Sequence, residues 1–122
     1  MISTLHDAVD FDMTETEFLA HAERTLDRIE AALNEAAERA HYDIDANRAG
    51  NVLTLELGNG ARLVINSQAA MQQLWVAART GGYHYALAAD GAWRDTRDGS
   101  ELFASLSKLL TAQAGAPIEL RP

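Results

Sequence analysis

The spacing of apolar residues changes once along this chain, near residue 41, and that change most constrains the fold. Before it, apolar residues recur every three or four positions, as on one face of an amphipathic helix. They are Phe18, Ala22, Leu26, Ile29, Leu33, Ala36 and Ala40. After it, apolar and polar residues alternate, as in Leu53-Thr54-Leu55-Glu56-Leu57, which is typical of half-buried strands. A long helix followed by antiparallel strands is therefore predicted.

Cap and turn residues set the limits of the predicted elements. Thr14 and Glu17 have the spacing of a capping box, with Met13 as a hydrophobic staple, and predict a helix over 14–39. Ser100 is predicted to cap a second helix that Gly115 and Pro117 end. Strands are predicted at 42–45, 53–57, 62–66, 73–78, 83–89 and 92–96, with turns at Asn59-Gly60, Gly81-Gly82, Asp90-Gly91 and Asp98-Gly99.

This order of elements predicts an α+β two-layer sandwich. We expect an antiparallel meander of five to six strands, with the N-terminal and C-terminal helices packed on one face and the other face open to water. The 122 residues suffice for one core, so 13–122 is predicted to be a single domain and 1–12 an N-terminal extension. No segment has the ~20 apolar residues of a membrane span, and no secretory signal is visible. A cytoplasmic protein without membrane contact is predicted.

Charge and composition narrow the function. Residues 1–45 carry twelve of the 18 acidic and three of the 10 basic residues, so their net charge of −9 exceeds the −8 of the whole chain. Such a surface repels nucleic acid and attracts cations or basic partners. The absence of cysteine excludes disulfides and sulfur-based metal sites. No catalytic motif is present, so we predict that the protein is not an enzyme.

The acidic residues of the first helix are segregated on one side. On a helical wheel Glu23, Asp27, Glu30 and Glu38 lie together with Asn34, whereas arginines 24, 28 and 39 lie on the opposite flank. Neighbouring like charges destabilise a helix by roughly 0.2–0.5 kcal/mol per pair, so stability alone would favour acids interleaved with arginines. The segregation makes this side a candidate cation-binding surface, and a solvated acidic face is the alternative. Carboxylate oxygens suit iron, Mn²⁺ or Ca²⁺, and a shallow, wet row of them would bind weakly. Asp43 and Asp45 would extend the row if their strand runs beside the helix.

A second candidate surface lies in the segment QQLWVAARTGGYHY, residues 72–85. Strand alternation places Leu74 and Val76 on the core side and Gln73 and Trp75 on the helix-free side. An exposed tryptophan is typical of a binding anchor, and the alternative is an indole partly covered by its neighbours in the sheet.

Three segments resemble the bacterial branch of the frataxin family. They are NVLTLELGNG, VINSQAAMQQLWVAARTGGYHY and GAWRDTRDGSELFASLSKLL, and the likeness extends over residues 14–118. The resemblance implies a helix–sheet–helix sandwich, in agreement with the prediction from periodicity. This chain departs from the family pattern at four positions. Ser67 stands where the family usually has lysine, and Ala70 stands where it often has proline. Ala31 and Asn34 stand where relatives have acidic residues.

The resemblance also implies a function and its residues. Frataxins bind iron, Fe²⁺ or Fe³⁺, weakly through acids and regulate iron–sulfur cluster assembly by docking on cysteine desulfurase and its scaffold protein. A monomer is expected, and an iron-oxidising or iron-storing oligomer is the alternative. Glu35 is implied as an acid of the site, although the wheel turns it away from the others. The implied metal residues are Glu15, Glu17, Asp27, Glu30, Glu35, Glu38, Asp43 and Asp45, and the implied partner-binding residues are Asn66, Gln68, Gln73, Trp75 and His84.

Overall fold

The computed structural model describes residues 13–122, and within them the predicted sandwich is confirmed. Helix α1 precedes a sheet of six antiparallel strands in sequential order, and helix α2 follows it. The predicted extension, 1–12, and its His6 lie outside the described residues. The elements are α1 (Glu15–Ala40), β1 (Ile44–Ala49), β2 (Val52–Leu57), β3 (Arg62–Gln68), β4 (Gln73–Ala78), β5 (Gly81–Leu87), β6 (Trp93–Asp95) and α2 (Leu102–Ala114).

The core lies between the two helices and one face of the sheet. The predicted stripe of α1 is buried from Phe18 to Ala36 and packs against alternate residues of the strands, such as Leu74 and Tyr85. Trp93 of β6 connects the sheet to α1. Its Nε1 donates a 2.8 Å hydrogen bond to Thr25 Oγ1, and its ring packs edge-on against Phe18. These contacts fix α1, and with it the acidic residues on its outer side, relative to the sheet. No helix among residues 13–122 combines the length and apolar character needed to cross a bilayer.

The C-terminal segment links the two helices. Leu120 is buried, and its N–H donates to Ser107 Oγ of α2 at 2.8 Å. From α1, Arg39 donates to the carbonyl oxygen of Glu119 at 2.6 Å. One arginine of the predicted basic flank therefore has a structural role, because it holds this segment against α1.

Cap and turn predictions were mostly right, with three corrections. Ser100 does not cap α2: the carboxylate of Glu101 does, since it accepts the N–H groups of Phe103 and Ala104. Gly81 and Gly82 belong to β5, and the turn lies two residues earlier, at residues 79–80, because Gly81 pairs with Ala78 in the sheet. The capping box of Thr14 and Glu17 and the stop at Gly115 are confirmed.

The third correction concerns the start of the first strand. Helix α1 continues to Ala40 and is closed by His41 in the left-handed conformation, with φ of 51°. Tyr42, predicted to lie in the strand, instead directs its hydroxyl to the carbonyl oxygen of Ala114. Strand β1 therefore begins at Ile44 and extends to Ala49, which is beyond the segment that alternation predicted.

Candidate functional site

We use the name acidic ridge for the eight predicted carboxylates on α1 and at the start of β1. All are exposed except Glu30, which is half-buried. Asp43 and Asp45 were expected to extend the row of acids if their strand runs beside the helix. β1 does run beside α1, since Arg48 of β1 donates a hydrogen bond to Asp27 of α1. The ridge consists of Glu15, Glu17, Asp27, Glu30, Glu35, Glu38, Asp43 and Asp45.

Asp27 is the one ridge carboxylate paired with a guanidinium group of the described residues. Arg48 Nη1 lies 2.6 Å from Asp27 Oδ1, and Arg48 Nε also donates to the carbonyl oxygen of Gly50 at 2.8 Å. The Arg48 side chain is 19% exposed, against 66% for Asp27, so the arginine is held firmly and the carboxylate faces solvent. The predicted separation of acids from arginines on α1 therefore does not keep Asp27 unpaired, because its partner comes from β1. Sequence reasoning missed Arg48 because its partner lies 21 residues away.

The N-terminal end of the ridge has a structural role. Glu17 Oε1 accepts the N–H of Thr14 at 2.9 Å, and Thr14 Oγ1 accepts the N–H of Glu17 at 3.1 Å. This reciprocal pair satisfies two N–H groups that the first turn of a helix otherwise leaves unbonded. A cation that recruited Glu17 would compete with the cap of α1.

The C-terminal end of the ridge is different, because its carboxylates form no ion pair with another described residue. Glu38, Asp43 and Asp45 lie within a few residues of the junction of α1 and β1, and Glu30 lies about two turns before Glu38 on α1. Glu35 lies one turn before Arg39, on the basic flank, as the wheel predicted. Within residues 13–122 no three Asp, Glu or His side chains come close enough to hold one ion. This end is therefore a row of separate carboxylates, which are Glu30, Glu38, Asp43 and Asp45.

Glu56 is an acidic residue that the sequence reasoning did not include. In the sheet register it lies directly opposite Asp45 on β1, with Arg62 opposite it on β3. These residues line a shallow recess of about 420 Å³ with Asn47 and Thr54, at the corner where the ridge meets the helix-free face. The register of the β1–β2 hairpin was the signal that could have identified Glu56.

We use the name open face for the five predicted partner-binding residues, all of which lie on the helix-free side of the sheet. Asn66, Trp75 and His84 form one cross-strand row over β3, β4 and β5. Gln68 and Gln73 are paired in a neighbouring row. The structure thus brings all five residues together, on three adjacent strands.

Trp75 is half-buried and held by its neighbours. Its ring stacks on His84 with centroids 4.4 Å apart and an angle of 11° between the planes. Its Nε1 donates to Gln73 Oε1 at 2.8 Å. The alternative of an indole partly covered by sheet neighbours is therefore correct for Trp75, although it remains on the helix-free face. Such an indole is fixed in place before any partner arrives.

Comparison with known proteins agrees with this architecture. The model of the frataxin-like domain matches residues 11–116. The iron–sulfur cluster assembly protein CyaY of Cupriavidus taiwanensis is 55% identical over 107 residues, which are 87% of this chain and 95% of that protein. Frataxin from Psychromonas ingrahamii superposes with a TM-score of 0.77 at 32% identity, covering 90% of this chain and all of that one.

A more distant solved relative is trimeric. It is frataxin from the yeast Saccharomyces cerevisiae, complexed with ferrous iron, with a TM-score of 0.67 at 28% identity over 78% of this chain and 86% of that one. The match over most of the chain, together with the sandwich and its helix–strand edge, establishes the family: this chain belongs to the frataxin-like family.

Proposed function

We propose that this protein is an iron-binding regulator of iron–sulfur cluster assembly in the bacterial cytoplasm. It binds iron weakly on the acidic ridge and docks on cysteine desulfurase and its scaffold protein. It catalyses no reaction of its own. Relatives at about half identity are named as iron–sulfur cluster assembly proteins, which supports the pathway.

The observation that carries the metal part of the proposal is the unpaired end of the acidic ridge. Glu30, Glu38, Asp43 and Asp45 form no ion pair with another described residue, and Glu56 lies across from Asp45. Hard cations prefer such oxygen ligands. Because the carboxylates are separate, each iron is held by one or two of them and keeps most of its water. Binding is therefore weak and reversible, as a sensor or carrier requires.

The same charges serve partner binding. Unpaired carboxylates attract basic surfaces over a Debye length of ~8–10 Å at physiological salt, which speeds encounter with a basic partner. Iron bound on the ridge lowers that attraction, because it neutralises the carboxylates that the partner meets. Iron and desulfurase therefore compete for one surface, which couples regulation to iron supply.

The open face provides the second contact. Trp75 is fixed by His84 and Gln73 before binding, so little side-chain entropy is lost when a partner covers it. Aromatic residues in such positions contribute most of the binding energy of many interfaces. In this proposal the ridge steers the partner and the open face holds it.

The test removes two charges from the unpaired end of the ridge. Asp43→Ala combined with Asp45→Ala is expected to weaken both Fe²⁺ and desulfurase by about tenfold, the loss of about 1.4 kcal/mol of binding free energy. Anaerobic calorimetry measures the first affinity and surface-immobilised desulfurase the second. The loss of desulfurase affinity should shrink at high salt, where charges are screened.

The matched control removes two charges elsewhere. Asp90→Ala combined with Glu119→Ala takes away two exposed acids that lie outside the ridge and pair with Arg94 and Arg121. Both affinities should stay within about twofold of the parent, because the local field at the ridge is kept. If the control pair weakens binding as much as the ridge pair, net charge and not the ridge is responsible. If neither pair changes either affinity, the ridge assignment is wrong.

An iron-oxidising or iron-storing oligomer is the second candidate, because the yeast relative is trimeric and complexed with ferrous iron. An oligomer of that kind would consume Fe²⁺ in air and gain mass as iron is added. Aerobic titration followed by light scattering separates the two functions: a regulator keeps the mass of one chain throughout.

A further inference from the structure

One row of side chains crosses four strands of the sheet and changes sign halfway. In the sheet register Asp45 of β1 lies opposite Glu56 of β2, and Glu56 lies opposite Arg62 of β3. The register of β3 and β4, continued two residues past its first pair, brings Arg62 opposite Arg79, which directly follows β4. We use the name charged row for Asp45, Glu56, Arg62 and Arg79. Its acidic end belongs to the corner where the acidic ridge meets the sheet, and its other end is basic.

The side chain of Gln113 holds the backbones of the two arginines together. Gln113 lies near the end of α2 and is 8% exposed. Its Oε1 accepts the N–H of Arg79 at 3.1 Å, and its Nε2 donates to the carbonyl oxygen of Arg62 at 3.4 Å. A buried amide whose two polar groups are both bonded is a rigid connector. The two arginines therefore start from fixed and neighbouring backbone positions.

Neither arginine is neutralised within the described residues. Arg62 and Arg79 are exposed and form no ion pair, and Glu56 stays beyond ion-pair distance of Arg62. Like charges on opposite strand positions destabilise a sheet. A chain with 18 acidic and ten basic residues has enough acids to pair them. Stability therefore does not account for two adjacent arginines, and their charges remain available to a carboxylate from outside the chain.

The surroundings of the two arginines select the kind of partner. A phosphate backbone that reached Arg62 would lie within about 10 Å of Asp45 and Glu56, which would repel it. A short acidic segment of a protein avoids both acids. Trp75 lies four residues before Arg79 on β4, about 13 Å along the strand. A protein that covers Trp75 therefore also reaches the basic end of the charged row.

We propose that Arg62 and Arg79 bind an acidic segment of the same partner whose basic surface meets the acidic ridge. This inference rests on the proposed function, because it names the chemistry of the partner at that surface. Pairs of guanidinium and carboxylate groups can be bidentate, which fixes their geometry. Two contacts of opposite sign in one row also fix the orientation of the partner, because turning it round would set like charges against each other.

The test compares two pairs of arginines. Arg62→Gln combined with Arg79→Gln should weaken binding to the immobilised desulfurase–scaffold complex by at least about tenfold. The matched control is Arg24→Gln combined with Arg28→Gln, which removes two exposed arginines of α1. The control should bind at least as tightly as the parent, because a more acidic protein attracts a basic surface more strongly. Net charge alone thus predicts tighter binding for both variants, and only a local carboxylate predicts weaker binding for the first.

A second measurement identifies the contact directly. Arg79→Lys keeps the charge and introduces an amine, which a carbodiimide joins to a carboxylate in contact with it, forming an amide and taking up the water released. Mass spectrometry of the cross-linked complex should find position 79 joined to an aspartate or glutamate of the partner. Lys108 is the only lysine of the parent chain and is exposed on α2. It is the internal control and should give no such product.

The outcomes separate this inference from the proposed function. If the parent does not bind the complex, the proposed function fails and this inference fails with it. If the parent binds and the variant lacking both row arginines binds as tightly, only this inference fails. It also fails if that variant binds weakly but Arg79→Lys gives no product with a carboxylate of the partner, because the loss then has another cause.

Discussion

The acidic ridge and the open face have opposite physical designs. On the ridge, exposed carboxylates repel one another and most of them have no fixed contact within the described residues, so their effect is long-range and depends on salt. On the open face, Gln73, Trp75 and His84 are fixed by a stack and a hydrogen bond, so their effect is short-range and depends on shape. In the proposed function the ridge responds to a cation, and the open face responds to the shape of a partner.

This difference explains how one small sandwich can present two kinds of surface. Helix α1 turns its apolar stripe to the core and leaves its outer side free for charge. The sheet has helices on only one face, which leaves the other free for polar and aromatic side chains. Each surface can change without loss of the core, because neither contributes the residues that bury most apolar area.

The largest expected effect is on the open face. Trp75→Ala should weaken binding to the desulfurase–scaffold complex by at least about 2 kcal/mol, roughly 30-fold, because the fixed indole is the natural anchor. The free energy of unfolding should fall by less than about 1.5 kcal/mol, the scale of one lost aromatic stack. Surface-immobilised partner and urea unfolding measure the two quantities.

Trp93→Ala is the reference for this prediction, because Trp93 is 3% exposed and packs on Phe18. Its loss should lower the free energy of unfolding by about 3–5 kcal/mol. Should the two tryptophan variants prove equally destabilised, Trp75 belongs to the core and the open face loses its proposed role.

A smaller effect is expected where the ridge is already paired. Arg48→Gln frees Asp27 from its guanidinium partner and should raise the affinity for Fe²⁺ up to about fivefold, since such pairs contribute ~0.2–1 kcal/mol. Anaerobic calorimetry measures the change. Arg28→Gln removes the same charge from the opposite flank of α1 and should raise affinity less. Equal gains from both variants would show that net charge alone governs the ridge.

The smallest effect tests how the indole is held. Gln73→Ala removes the acceptor of Trp75 Nε1 and should lower the free energy of unfolding by about 0.5–1.5 kcal/mol. The tryptophan emission should shift to longer wavelength as the indole becomes more solvated. Gln68→Ala is the control, because Gln68 of β3 pairs with Gln73 in the sheet, and this variant should leave the emission unchanged. An unchanged spectrum for Gln73→Ala would mean that the stack on His84 suffices.

Local patterns predicted most of the fold and part of the site. The stripe from Phe18 to Ala36 and the alternation around Leu55 identified the helix, the sheet and the buried face, because burial follows a fixed period in each element. The cap of α2 was misplaced because Ser100 and Glu101 are both acceptable caps. The loop after β6 favours Glu101 as the cap. In this loop the backbone N–H of Ser100 donates to Asp98 Oδ1, and the carbonyl oxygen of Ser100 accepts the N–H of Asp95.

Contacts between distant residues escaped prediction. Arg48 and Asp27 are far apart in sequence, and Glu56 meets Asp45 only through the hairpin register. No period or spacing along the chain encodes such meetings.

By itself the sequence determined the two layers, the segregation of acids from arginines on α1, and the side of the sheet that carries Trp75. Each follows from a repeat of 3.6 or of 2 residues, which the backbone geometry imposes locally. Tertiary structure alone decided which ridge carboxylate is paired and how the indole is covered. Those outcomes depend on the packing of separate elements, because the side chains that meet belong to different elements and come into contact only when these elements pack together.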